Sequence, residues 1–267
     1  MVPAPSRPLA RRIRDLILPE ICPVTYEEVG GLGGMSAKAW GDLAFLSGAQ
    51  CHTCGREIPG RPKWPEDFRC EACVRRPPLW ERGGAAIRYE GTGRHLVMRL
   101  KHADRLDLVP MFARWMRAAA PHLVEEADLI VPIPLHWTRL AQRRYNQSAE
   151  LARRIARQAG KPFAAKPRLL RRVRATPVQG GLNRAGRVAN LEGAIRVAPA
   201  WRRHLAGKRV LLIDDVLTTG ATLEAATQPL LEVGARVDVL VTALVNYDPT
   251  LYMRREPIHE DLSDETD

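Results

Sequence analysis

The chain has no apolar run approaching the roughly 20 residues that a membrane-spanning helix needs. Met1–Leu18 carries Arg7, Arg11, Arg12 and Arg14 but lacks the apolar stretch of a signal-peptide core. Cysteine is scarce and odd in number, five in 267 residues, which argues against a complete disulfide framework. Those absences together point to a reducing cytoplasm. Aromatic residues make up only 6% of the chain, so any nucleic-acid surface here is largely electrostatic, not a row of stacking platforms. Two phosphate-binding loops are missing: there is no G-x-x-x-x-G-K-[ST] and no G-x-G-x-x-G. A P-loop nucleotide triphosphatase and a Rossmann dinucleotide site are thereby excluded. No internal repeat is evident.

Acidic residues nearly vanish from one stretch. Between His136 and Arg209 nineteen Lys or Arg stand against Glu150 and Glu192 alone, whereas Glu256–Asp267 holds six acids. The net charge is +11. Such a run is either a solvated basic face or a surface that attracts phosphate, from a small molecule or from a nucleic-acid backbone.

What is present is the composition of an ordinary globular protein, 45% hydrophobic and 27% charged. Leu9–Leu18 has the period of a short amphipathic helix, with Leu9, Ile13, Leu16 and Ile17 on one side. Glycines at 30–34 then break the chain. After Pro77-Pro78, Ala85–Tyr89 reads as a strand, with helical segments near Thr92–Lys101 and Leu106–Ala119. Ala127–Val131 reads as a buried strand stopped by Pro132 and Pro134. A helix capped by Asn146 follows, then a strand at Arg209–Ile213, a helix at Thr222–Val233 ended by Gly234, and a strand at Arg236–Val245. Strand–loop–helix–strand units of this length imply an α/β fold with a parallel sheet flanked by helices. The expected organisation is an N-terminal helix and metal module over 1–78, the sheet domain over 79–247, and an acidic, disordered tail over 248–267.

Cys51, Cys54, Cys70 and Cys73 form C-x2-C-x15-C-x2-C. Two residues between thiolates let each pair grip one ion from a tight turn, and two such turns complete the tetrahedron of a structural zinc. Free thiols, or two disulfides in an oxidising compartment, are the alternatives. The region has too few large aliphatics for a core of its own, so something else must hold it. His52 lies inside the first turn and is not needed as a ligand. Cys22 stands alone and reads as a buried or incidental thiol.

The most informative segment is Arg209-Val210-Leu211-Leu212-Ile213-Asp214-Asp215-Val216-Leu217-Thr218-Thr219-Gly220-Ala221-Thr222. An apolar strand delivers two adjacent carboxylates, and a small, hydroxyl-rich turn then opens a helix. Helix-start amides point outward unpaired and favour an anion. Thr218, Thr219 and Thr222 add hydroxyls, and Gly220 and Ala221 let backbone approach a phosphate closely. Asp214 and Asp215 can accept from a ribose cis-diol.

This string resembles the 5-phosphoribosyl-1-pyrophosphate (PRPP) motif of type I phosphoribosyltransferases. Two further segments narrow the resemblance. One is Val131-Pro132-Ile133-Pro134-Leu135-His136 with Arg139, Arg143, Arg144, Tyr145, Asn146 and Gln147. The other is Thr176-Pro177 with Gln179, Leu182, Arg184, Arg187 and Asn190. With the upstream cysteines, the chain resembles the competence protein F family over nearly its whole length. The resemblance implies a zinc-ribbon head on a type I phosphoribosyltransferase-like fold and a link to DNA uptake in transformation. It implies that Asp214 and Asp215 hold the ribose hydroxyls and Thr218–Thr222 the 5-phosphate. Pro132, His136, Arg139 and Arg143 would then lie near the pyrophosphate, with magnesium bound alongside PRPP. Arg184 and Arg187 would be the catalytic cations, on a loop at Arg174–Asn190 that closes over the site. The acceptor would meet a hood built from Ala85–Asp107. Non-catalytic binding of PRPP or single-stranded DNA is the other function the same residues allow. Family members often carry a second pair of cysteine knuckles nearer the N-terminus, where this chain keeps only Cys22.

Overall fold

The computed structural model describes residues 21–29, 34–58, 68–102, 105–174 and 191–245. The expected N-terminal helix, the Arg184 and Arg187 segment and the acidic tail lie outside these residues. Four parallel strands form the main sheet: β1 (Arg82–Arg88), β2 (Leu129–Pro132), β5 (Arg209–Leu217) and β6 (Arg236–Leu244), in the spatial order β1-β6-β5-β2. A small antiparallel pair, β3 (Leu170–Arg172) and β4 (Ile195–Val197), lies apart from it. No helix among the described residues is long and apolar enough to cross a membrane.

Side-chain alternation along β5 and β6 divides the apolar residues between two faces. Leu211, Ile213 and Leu240 meet α3 (Gly91–His102), α4 (Val109–Ala119), α5 (Pro121–Glu126) and α7 (Gln147–Gln158). Val210, Leu212, Val239 and Val241 meet α8 (Ala221–Leu231), the small pair and the four-cysteine segment. Helix α7 starts as the sequence suggests: the Asn146 side chain accepts from the Ala149 amide at 3.3 Å, and its buried stripe is Ala149, Leu151, Ala152, Ile155 and Ala156. Both faces are covered, which is why the strands read as continuous apolar runs.

Two expectations need correction. Strand β5 runs on to Leu217, so Asp214 and Asp215 sit inside the strand rather than beyond it. Backbone pairing to β6 continues through Asp214↔Val241 and Leu217↔Leu244, which carries the strand past the end of its buried apolar block. Residues 85–88, read both as a strand and as the start of a hood, are strand. They belong to edge strand β1, hydrogen-bonded along β6.

The four-cysteine segment is fastened to that edge strand. The Gly83 amide donates to the His52 carbonyl at 2.9 Å, and the Trp80 indole N–H donates to the Thr53 carbonyl at 2.6 Å. A Cβ at Gly83 would stand 2.3 Å from the Thr53 oxygen, and one at Gly55, where φ is +72°, would stand 2.7 Å from the Ala85 nitrogen. Backbone thus packs on backbone, a contact only glycine allows. Gly83→Ala is expected to cost about 1–3 kcal/mol, the usual range for overpacking, read as a lowered melting temperature.

Candidate functional site

Helices leave neighbouring strands β2 and β5 toward opposite faces of the sheet: α7 packs on one side and α8 on the other. The carboxyl ends of these two strands are therefore a topological switch point, the place where ligands bind in open parallel sheets. Pro132 pairs with Ile213, and the Ile133 amide donates to the Ile213 carbonyl at 2.9 Å. The loop after Pro132 is thus brought beside Asp214, one residue further along β5.

The Asp214 carboxylate accepts from the Ser148 hydroxyl at 3.1 Å and from the Asp215 amide at 2.9 Å. Burial, and then the neighbouring Asp215 charge, push its carboxyl up to about 7. Asp215 pairs with Lys101 of α3 at 3.5 Å, and the Lys101 ammonium lies 6.0 Å from the Tyr89 ring centre. The turn follows at once. Gly220 has φ +81° and caps α8, and its carbonyl accepts from the Glu224 amide at 2.8 Å. The preceding first-turn amides have no acceptor within the helix. Thr218 is exposed, Thr219 and Thr222 are half-buried, and the Thr219 hydroxyl stands 3.5 Å from the Ala221 amide. Behind the turn a Cβ at Gly220 would meet the Trp80 ring at 3.0 Å.

The other proposed site residues fall less simply. His136 is buried and caps α6 (Trp137–Arg143), its Nδ1 lying 2.9 Å from the Thr138 hydroxyl. Arg139 and Arg143 are on α6, with side chains outside the description. Sequence reasoning missed Lys101, Ser148 and Trp80. Each reaches the switch point from a distant element, and none belongs to a local pattern.

The four sulfurs of Cys51, Cys54, Cys70 and Cys73 lie within 4.8 Å of one another, all buried and none bonded to another. The Cys54–Cys70 separation is 3.8 Å. A tetrahedron with bonds of about 2.3 Å places its thiolates about 3.8 Å apart. The cage could therefore hold a four-coordinate metal ion. Hydrogen bonding among the sulfurs pulls the Cys51 thiol down and pushes the Cys54 thiol up, as in a group that shares protons a cation would displace.

Parallel strands, an acid pair and a hydroxyl-bearing turn at a switch point define a phosphoribosyltransferase-type domain. The family model described as phosphoribosyl transferase domain matches residues 146–256. Over 208 residues the chain is 30% identical to DNA utilization protein YhgH of Salmonella typhimurium, covering 72% of this chain and 88% of that one. It is 28% identical to Competence protein F of Haemophilus influenzae over 189 residues, 69% and 79% of the two chains. A shorter match of 102 residues, 32% identical and covering 33% and 32%, is to the ribose-phosphate pyrophosphokinase of Sulfurisphaera tokodaii. The chain belongs to the competence protein F family.

Proposed function

We propose that the switch point binds PRPP, or another phosphoribosyl-containing small molecule, with magnesium, and that the four-cysteine cage holds structural zinc. The observation that carries the first reading is the placement of Asp214 and Asp215 on the strand that leads into the turn opening α8, where helices diverge to opposite faces of the sheet. Asp214 and Asp215 accept from the two ribose hydroxyls. The turn Thr218–Thr222 holds the 5-phosphate through amides and hydroxyls. Pro132 and its loop border the pyrophosphate side, to which Arg139 and Arg143 are assigned from the sequence alone, and Lys101 adds a cation beside Asp215. Magnesium, when bound, neutralises pyrophosphate charge.

Such a site supports displacement at the anomeric carbon, with pyrophosphate leaving and a base or nucleotide entering. Arg184 and Arg187 are assigned the leaving-group charge from the sequence alone. Calorimetric titration of PRPP with and without magnesium tests the binding. Pyrophosphate release across a panel of bases tests the transfer. Saturable, magnesium-dependent binding is expected, and its absence at pH 8 removes the reading.

Asp214 accepts most strongly from a ribose hydroxyl as a carboxylate, and burial beside Asp215 pushes its carboxyl up to about 7. PRPP affinity is therefore expected to rise between pH 6 and pH 8. Below the pKa the loss approaches about tenfold per pH unit. A flat profile would remove Asp214 from the ligand.

The relatives are named for competence and DNA utilization, and we extend that role to this chain. Arg144, Arg157, Arg171, Arg196, Arg202 and Arg203 are exposed. Of the aromatics nearby, Trp137 is 70% and Phe163 is 87% exposed. Tyr145 is tied to the Leu100 carbonyl at 2.5 Å, and Lys166 covers the Trp201 ring at 5.3 Å. Single-stranded DNA bound here would be held mainly by charge, with a steep salt dependence as its signature.

A further inference from the structure

Two short stretches of the chain fold in the same way although their sequences differ. In the metal cage the Cys51 amide donates to the Arg56 carbonyl at 2.7 Å, and the Gly55 amide donates to the Cys51 carbonyl at 2.8 Å. Gly55 has φ +72°, and Gln50 bridges Glu57 in antiparallel fashion. The five-residue helix α2 (Glu71–Arg75) then starts on Cys70, whose φ and ψ are −69° and 158°. Upstream, the Cys22 amide donates to the Glu27 carbonyl at 2.7 Å, and the Tyr26 amide donates to the Cys22 carbonyl at 3.0 Å. Tyr26 has φ +59°, and Ile21 bridges Glu28 in antiparallel fashion. The five-residue helix α1 (Ala37–Gly41) then starts on Ser36, with φ and ψ of −63° and 155°. A left-handed tyrosine costs about 1–2 kcal/mol. The turn keeps the shape of a metal knuckle without the glycine that makes that shape easy.

We infer that residues 21–41 are a second copy of the ribbon at 50–75, with Cys22, Thr25, Ser36 and Ala39 at the positions of Cys51, Cys54, Cys70 and Cys73, and that hydrogen bonds there replace the metal. Both copies have two residues between the members of each pair. At the centre of the first copy, the Thr25 hydroxyl donates to the Ser36 hydroxyl at 2.9 Å. The Cys22 thiol lies 3.6 Å from the same oxygen, and the Thr25 amide donates to the Cys22 sulfur at 3.5 Å. The Ala39 amide completes the cluster by donating to the Ser36 oxygen at 3.3 Å. The place an ion would fill is closed over: Cys22 is 0%, Ser36 6% and Ala39 1% exposed. The two copies pack on opposite faces of the sheet, Val24, Met35 and Leu43 on one and the four cysteines on the other. In the sequence only Cys22 marks the first copy, because the other three ligand positions have changed.

This inference rests on reading Cys51, Cys54, Cys70 and Cys73 as a metal site, and the test separates the two. Thr25→Cys, Ser36→Cys and Ala39→Cys are introduced together in the full chain. Metal is counted by elemental analysis, and cobalt(II) is added to read tetrahedral thiolate absorption. The wild type is expected to carry about one zinc and the triple variant about two. A wild type without metal overturns the cage reading, while a gain of one metal in the variant still supports the copy. A folded triple variant that gains none overturns the copy. Hydrogen exchange on the wild type gives a second arm that needs no variant. On chelation, amides of 50–75 are expected to lose protection while those of 21–41 keep it. Equal loss in both stretches overturns the claim that the first copy keeps its fold without a metal.

Discussion

A chain carrying Asp214→Asn and Asp215→Asn is expected to lose magnesium-dependent PRPP binding by at least about a hundredfold while remaining folded. Each hydrogen bond to a charged partner contributes about 1.5–3 kcal/mol, so losing two removes about 3–6 kcal/mol. Folding survives because an asparagine oxygen can still accept from the Ser148 hydroxyl and the Asp215 amide, the partners of Asp214 now. Stability even moves the other way at high pH. The Asp214 carboxyl is raised from 3.8 to about 7 by burial and by Asp215. Its ionisation therefore costs the folded state, and stability declines as pH rises from about 4 through about 7. Asparagine removes that decline. The Asp214→Asn single variant should melt above the wild type at pH 8 and close to it at pH 4, measured by circular dichroism. Unchanged PRPP affinity in the double variant would mean that the ribose is held elsewhere.

The acid pair and its turn were legible because their chemistry is local. Strand, carboxylates, small residues and helix start succeed one another within Arg209–Thr222, and each step has a residue-type signature. The cysteine cage was legible for the same reason, since ligand spacing survives without knowledge of the fold. What could not be read was brought from far away. Lys101 reaches Asp215 from α3, and Ser148 reaches Asp214 from α7. Neither residue type is unusual where it stands. Edge strand β1 was read from Ala85 although it starts at Arg82, because two glycines, Gly83 and Gly84, weaken its strand pattern. Gly83 is required by the Thr53 carbonyl lying against the strand and Gly84 by the Ala120 side chain on the other face, which only the fold reveals. The ribbon copy at 21–41 was hidden for the opposite reason: its backbone is kept while its side chains are not.

Removing the metal, by chelation or by Cys51→Ser with Cys54→Ser, is expected to release residues 50–75 from their fold and to weaken PRPP binding at a distance. A structural zinc contributes about 10–16 kcal/mol to a small site, more than a segment with so few aliphatics can supply by burial. Once the knuckle opens, Gly83 loses the His52 carbonyl and Trp80 loses the Thr53 carbonyl. Trp80 is the link that matters, because its ring lies against Gly220, the residue that shapes the turn proposed to hold the phosphate. The turn would keep its sequence but lose the wall behind it. PRPP affinity should fall about tenfold, the effect of roughly 1.4 kcal/mol. The rise of affinity between pH 6 and pH 8 should remain, because Asp214 and Ser148 are untouched. That separates bracing from direct contact. Trp80→Phe isolates the link: it cannot donate to Thr53 and falls short of Gly220, so the metal should stay bound while affinity falls. If the metal-free chain binds PRPP as tightly as the loaded one, the ribbon does not brace the turn, and Trp80 serves packing alone.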